Sequence, residues 1–96
     1  EATYARMVEA AGRKGDVLIG ISTSGNSPNI VRAMKKAKEI GMFTVGFTGE
    51  NGGKMKGICD VMICIPSEDT PRIQEAHILI GHIICQLIEE EMFPNA

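Results

Sequence analysis

Three short apolar runs constrain this chain most: Val17-Leu18-Ile19-Gly20-Ile21, Met42–Phe47 and Asp60–Ile65. The first follows a Gly15-Asp16 turn, is apolar on both faces and is too short for a helix, which suits a strand buried in a parallel sheet. Helical patterns separate the runs. From Ser27 to Ile40, the residues Ile30, Val31, Met34, Ala37 and Ile40 form one stripe. Arg32, Lys35, Lys36, Lys38 and Glu39 fall largely opposite, and Gly41 ends the pattern. Tyr4, Met7, Val8 and Ala11 give an earlier helix over 3–11, with Gly12 as its stop.

After the second run comes a glycine-rich loop, Thr48-Gly49-Glu50-Asn51-Gly52-Gly53, and a helical turn around Lys54–Gly57. A long helix then starts at Pro71, with Thr70 as N-cap, and runs to about Met92 before Pro94. Successive βαβ units predict an α/β fold, a parallel sheet with helices on its faces. Three strands are few for such a sheet. The last helix is apolar nearly all round from Ile78 to Ile88 and needs cover on several sides, more than 96 residues readily give. The chain also opens on Glu1, inside what already reads as helix, so it looks like a piece of something longer, covered by a further N-terminal part or a partner subunit.

Charge excludes some functions. Ten Lys and Arg against twelve Asp and Glu give a net charge of −2, and there is no Trp, one Tyr and three Phe. Such a chain is a poor binder of phosphate backbones, so no nucleic-acid partner is expected. The apolar stretch Ile78–Ile88 falls short of the ~20 residues of a membrane span, and no signal peptide is visible. Cys59, Cys64 and Cys85 are odd in number, lie in apolar stretches and lack metal-site spacing, which fits a reduced, cytoplasmic setting.

The segment that carries chemistry is Ser22-Thr23-Ser24-Gly25-Asn26-Ser27-Pro28, between the C-terminal end of the first strand and a helix N-terminus. Ligands of open α/β sheets bind there. Hydroxyl donors are dense, Gly25 lets the backbone approach a ligand, and the helix start favours an anion. With no Lys or Arg in the loop, the expected anion is a small phosphoester held by hydroxyls and amides. A plain turn with Ser27 as N-cap explains the same composition. Neither a P-loop nor a dinucleotide glycine motif is present, so no nucleotide cofactor is expected.

A second candidate lies on the last helix. At ~100° per residue, Gln74 and His82 are about 80° apart and Gly81 lies close to the direction of Gln74. His77 is about 140° from His82, so the two histidines do not readily serve one small site. A glycine inside a helix costs ~1 kcal/mol relative to Ala, which suggests that another element or a ligand approaches Gly81 closely. Apolar neighbours would disfavour a charged His82; the plain alternative is a satisfied core histidine. Glu89-Glu90-Glu91 reads as a solvated face.

The stretch Ser22-Thr23-Ser24-Gly25-Asn26-Ser27 behind a strand resembles the phosphosugar-binding loop of the SIS (sugar isomerase) domain family. Arg72-Ile73-Gln74-Glu75-Ala76-His77, with His82 five residues on, and the Gly49…Gly52-Gly53-Lys54-Met55 loop are similar to the phosphoheptose isomerase branch. The resemblance covers essentially the whole chain. It implies a three-layer α-β-α, flavodoxin-like domain, of which residues 1–96 are the C-terminal part, with about three strands. It assigns phosphate binding to Ser22, Thr23, Ser24 and Ser27, substrate contact to Gln74, and acid/base catalysis to His82. Where zinc is bound, Gln74 and His82 are ligands. It implies interconversion of sedoheptulose 7-phosphate and D-glycero-D-manno-heptose 7-phosphate through an enediol, in surface-heptose biosynthesis by a homotetramer. The branch's N-terminal Gly-Asn-Gly-Gly-Ser loop, catalytic glutamate and remaining zinc ligands are not in this chain, so these 96 residues alone are expected to be inactive. Pro71 stands where some members are acidic.

Two other readings remain open. One is a non-catalytic SIS module that senses a phosphosugar or binds a replication-initiation protein; His82 is the residue that discriminates it from the enzyme. The other is a different aldose–ketose isomerase, since the loop reads the phosphate rather than the length of the sugar.

Overall fold

The computed structural model describes residues 3–94. The expectation that helix already runs at Glu1 lies outside them. Helix α1 spans Thr3–Ala11, strand β1 Val17–Ile21, helix α2 Pro28–Ile40, strand β2 Phe43–Thr48, a 3-10 turn Gly53–Gly57, strand β3 Val61–Cys64 and helix α3 Thr70–Met92. The strands form one parallel sheet in the order β1-β2-β3, with Val17 beside Phe43 and Val45 beside Val61. The fold is α/β with helices on both faces of the sheet, as expected, and boundaries differ from the expected ones by a residue or so.

Helix α2 begins on Pro28, whose missing N–H costs nothing in a first turn. It stops at Gly41, which takes φ 97° and returns its N–H to the carbonyls of Ala37 and Lys38. The buried side is Val31, Ala33, Met34 and Ala37. It lies close on the sheet because Gly20 has no side chain: a Cβ there would stand 2.7 Å from Met34 Sδ. Gly46, the register partner of Gly20, does the same for Met62, Cys59 and Met55. The core is therefore Val31, Met34 and Met55, ringed by Leu18, Ile30, Ile58, Cys59 and Met62.

Helix α3 lies on the other face and buries only Ile73 and His77. Its N-cap position is Asp69 rather than Thr70, with no side-chain cap bond, because the first helical turn opens one residue earlier than the Thr-Pro pair suggests. Val17, Ile19, Ile21, Phe43 and Val61 on this sheet face are exposed, as are Ile78, Leu79, Ile83, Leu87, Ile88 and Met92 on α3. The radius of gyration is 13.9 Å, above the ~12.5 Å of a compact chain of this length. An apolar sheet face and an apolar helix stand open together, the unmet demand for cover that the sequence raises.

Candidate functional site

The loops after β1, β2 and β3 meet at the C-terminal edge of the sheet. They enclose a cleft of about 350 Å³ lined by Thr23, Ser24, Asn26, Gly49, Glu50, Asn51, Gly53, Ser67, Glu68, Thr70 and Ile73. This is where a parallel sheet gathers strand ends and places ligands.

The first loop is built by its own hydroxyls. Ser22 is buried, and its Oγ accepts the Gly25 N–H at 3.1 Å. Ser24 Oγ accepts the Asn26 N–H at 3.0 Å. Between them Gly25 turns through φ 73°, where a Cβ would run into the carbonyl of Gly52. The first and second loops are fastened by three bonds. Gly49 N–H donates to Thr23 O at 2.9 Å, Met55 N–H to Gly25 O at 3.1 Å, and Lys54 N–H to Asn26 Oδ1 at 2.8 Å.

The expected phosphate-loop residues therefore separate. Thr23 and Ser24 line the cleft. Ser22 lies beneath it, engaged in the turn. Ser27 occupies the N-cap position of α2, where its carbonyl accepts the Val31 N–H at 2.9 Å but its hydroxyl makes no cap bond, and it does not line the cleft. Two carboxylates, Glu50 and Glu68, do line it. The hydroxyls of Thr23, Ser24, Ser67 and Thr70 share the cleft with these carboxylate acceptors, a mixture of donors and acceptors that suits a polyhydroxyl ligand.

Gln74 and His82 line a different depression, an open apolar groove of about 670 Å³ between α3 and Ile19, Ile21 and Phe47. Both are exposed, so among the described residues His82 is not buried as its neighbours suggest. Nothing comes within 4 Å of a Cβ built on Gly81, so the close approach expected there is absent among the described residues. The apolar flanks read correctly as a face requiring cover, but that cover is not among these residues. The two depressions adjoin in sequence: Ile73 lines the cleft and Gln74 the groove.

Two donors fall short of the three or four protein ligands a zinc ion takes. Among the described residues no group of three or more His, Cys, Asp or Glu gathers. The described residues alone do not make a zinc site. Among them, no helix is long and apolar enough to cross a membrane.

Sequence reasoning missed two residues. Asn26 joins the first two loops through Lys54, 28 positions away. His77 is 2% exposed, packs its ring 5.6 Å from that of Phe47 and places Nε2 2.9 Å from the carbonyl oxygen of Thr48. The available signal for His77 was its spacing of four from Ile73, which puts both on one face of α3.

The SIS domain family model matches residues 1–49. The chain is 63% identical over 90 residues to the phosphoheptose isomerase of Clostridium acetobutylicum, covering 94% of this chain and 46% of that protein. It is 55% identical over 93 residues to the phosphoheptose isomerase of Burkholderia pseudomallei, covering 97% and 47%. Among solved structures, a phosphoheptose isomerase from Neisseria gonorrhoeae superimposes with a TM-score of 0.86 at 46% identity, over 88% of this chain and 49% of that one. One from Francisella tularensis gives 0.87 at 36% identity, over 91% and 47%. The chain thus spans about half the length of the relatives it matches.

Proposed function

The chain belongs to the SIS domain family, and from that premise we propose that it is the C-terminal part of a phosphoheptose isomerase. The reaction is an aldose–ketose interconversion of sedoheptulose 7-phosphate and D-glycero-D-manno-heptose 7-phosphate, serving heptose biosynthesis. One observation carries the reading: α3 contributes Ile73 to a hydroxyl-lined cleft and, with the next residue, Gln74 to the groove that holds His82. One helix thus joins an anion-binding pocket to a proton-handling side chain. The phosphoheptose isomerases matched at 52–63% identity support the substrate.

In this reading Thr23 and Ser24 donate to the phosphate, and Gly25 keeps that stretch of backbone within reach of it. The sugar runs past Ile73, where Gln74 contacts its hydroxyls. At the far end a proton leaves C1 of the ketose, the electron pair forms the C1–C2 double bond of an enediol, and the C2 oxygen gains a proton. Reprotonation at C2 and loss of the O1 proton give the aldose. The chemistry needs a base for carbon and an acid for oxygen. His82 supplies one of them; the other comes from outside these residues. Zinc enters the reading only as a half site, with Gln74 and His82 each giving one donor and the rest supplied from elsewhere. A cytoplasmic homotetramer is the assembly and setting we assign, and the open apolar face of the sheet and α3 supports burial in a larger body.

The test is turnover of sedoheptulose 7-phosphate by the full-length protein in D2O. Conversion with deuterium entering at the exchanging carbon is expected, and His82→Ala should lower kcat at least ~100-fold while phosphosugar binding persists. Binding without turnover in the unsubstituted protein would reject the enzyme in favour of a non-catalytic phosphosugar module.

A further inference from the structure

We infer that His77 is a positioning residue, pinning α3, and with it Gln74 and His82, to the loop that holds the phosphate. The inference rests on the isomerase reading and adds a residue to it. A carbonyl oxygen has no proton to give, so in the 2.9 Å contact with Thr48 O it is His77 Nε2 that donates. Nδ1 is then the lone-pair nitrogen, buried and without a hydrogen-bond partner among the described residues. A leucine would fill the same space beside Phe47 without an unsatisfied atom. What the imidazole adds over leucine is the Nε2–H bond.

The acceptor is a junction. Thr48 O also receives the Ile65 N–H at 3.0 Å, and the other side of the same peptide unit, the Gly49 N–H, donates to Thr23 O at 2.9 Å. A peptide unit is planar and stiff, so it holds the end of β3, helix α3 and the phosphate loop in one register. Ile73, one turn before His77, presses on the same place: a Cβ on Gly49 would stand 2.8 Å from Ile73 Cδ1. His77 lies between Gln74 and His82 along α3. Without the Nε2–H bond the helix is free to shift over β2. The phosphate would still be held by Thr23 and Ser24, while the reacting carbons lose alignment with His82.

The experiment uses the full-length protein with three substitutions. Glutamine places an amide N–H where Nε2 stands; asparagine is too short to reach Thr48; leucine has no donor. His77→Leu and His77→Asn should each lose roughly 10- to 100-fold in kcat, with KM for sedoheptulose 7-phosphate within about threefold. His77→Gln should recover kcat to within about threefold. Equal impairment of the Gln and Asn variants, or a wild-type kcat in the Leu variant, overturns the assignment. If His77→Leu does not fold, the Gln–Asn pair decides alone. If the unsubstituted protein shows no turnover, the isomerase reading fails and the pin is read separately, by hydrogen exchange of the segment containing the Gly49 amide. That exchange should be roughly tenfold faster in the Asn variant than in the Gln variant; equal rates overturn the pin.

Discussion

Four hydrogen-bond contacts join Asp60 and Thr44: the Asp60 carboxylate accepts the Thr44 N–H at 2.8 Å and its hydroxyl at 3.1 Å, while the Asp60 N–H is shared between Thr44 Oγ1 and the Thr44 carbonyl, each at 3.0 Å. Lys38 closes the arrangement from α2, with Nζ 2.9 Å from the other carboxylate oxygen. The lysine, then the Thr44 N–H, hold the Asp60 carboxyl at a pKa of about 2, below its ordinary 3.8.

A depressed carboxyl pKa stabilises the fold only while the group is ionised. The contribution is complete above about pH 4 and disappears as pH falls toward about 2. Asp60→Asn should therefore lower Tm at pH 7, and the difference from the unsubstituted protein should shrink through that window. Melting curves between pH 7 and pH 2 check this; a constant difference would deny Asp60 the role.

Gly25→Ala should destabilise the protein by more than about 2 kcal/mol, because it adds left-handed strain to a collision with the Gly52 carbonyl. Gly57 has open space around it and no positive φ. Gly57→Ala is the control and should stay within about 0.5 kcal/mol. Denaturant titration of both variants gives the comparison.

Thr23 and Ser22 should fail differently. Thr23→Val removes a hydroxyl from the cleft and should raise KM for the phosphosugar about 10- to 100-fold, the cost of a hydrogen bond to a charged group, with Tm nearly unchanged. Ser22→Ala removes one of the two acceptors of the Gly25 N–H, leaving the Ser22 carbonyl at 3.1 Å, and should cost about 1 kcal/mol of stability or less. Steady-state kinetics and melting on the same two variants separate ligand contact from loop construction.

Asn26→Asp keeps an oxygen for the Lys54 N–H but puts a charge into the cleft. The fold should persist, and KM for a phosphorylated substrate should rise roughly tenfold at low ionic strength, less at 1 M salt, where the Debye length is about 3 Å. A KM shift that ignores salt would count against an anion bound beside Asn26.

How far the sequence reaches depends on the range of the interaction concerned. The strands, α2 and its Gly41 stop were legible because periodicity and turn chemistry act within a few residues. The cleft's place was legible because parallel topology dictates it. Asn26 and His77 were not, since their partners Lys54 and Thr48 lie 28 and 29 positions away. His82 stands exposed among the described residues, since apolar neighbours in sequence report that a segment will be covered, not by what. Ser27 kept the expected position while its hydroxyl took no part in the cap, a detail of side-chain geometry that composition does not encode.

Gly20 and Gly46 leave a bare strip across two strands, and mostly sulfur-bearing side chains settle on it: Met34 beside Ile30 on the first, Met62, Cys59 and Met55 on the second. Thioethers and thiols pack there because they are soft enough to lie flat on exposed backbone. The same atoms are those an oxidant attacks first, and a sulfoxide would bring an oxygen into space with no room and no donor. Met34 and Met55 are fully shielded in the folded chain. Oxidation of these two therefore waits on an opening of α2 or the 3-10 turn away from the sheet and becomes a clock for that motion, whereas Met62 and Cys59, half-buried, are open to oxidant without it.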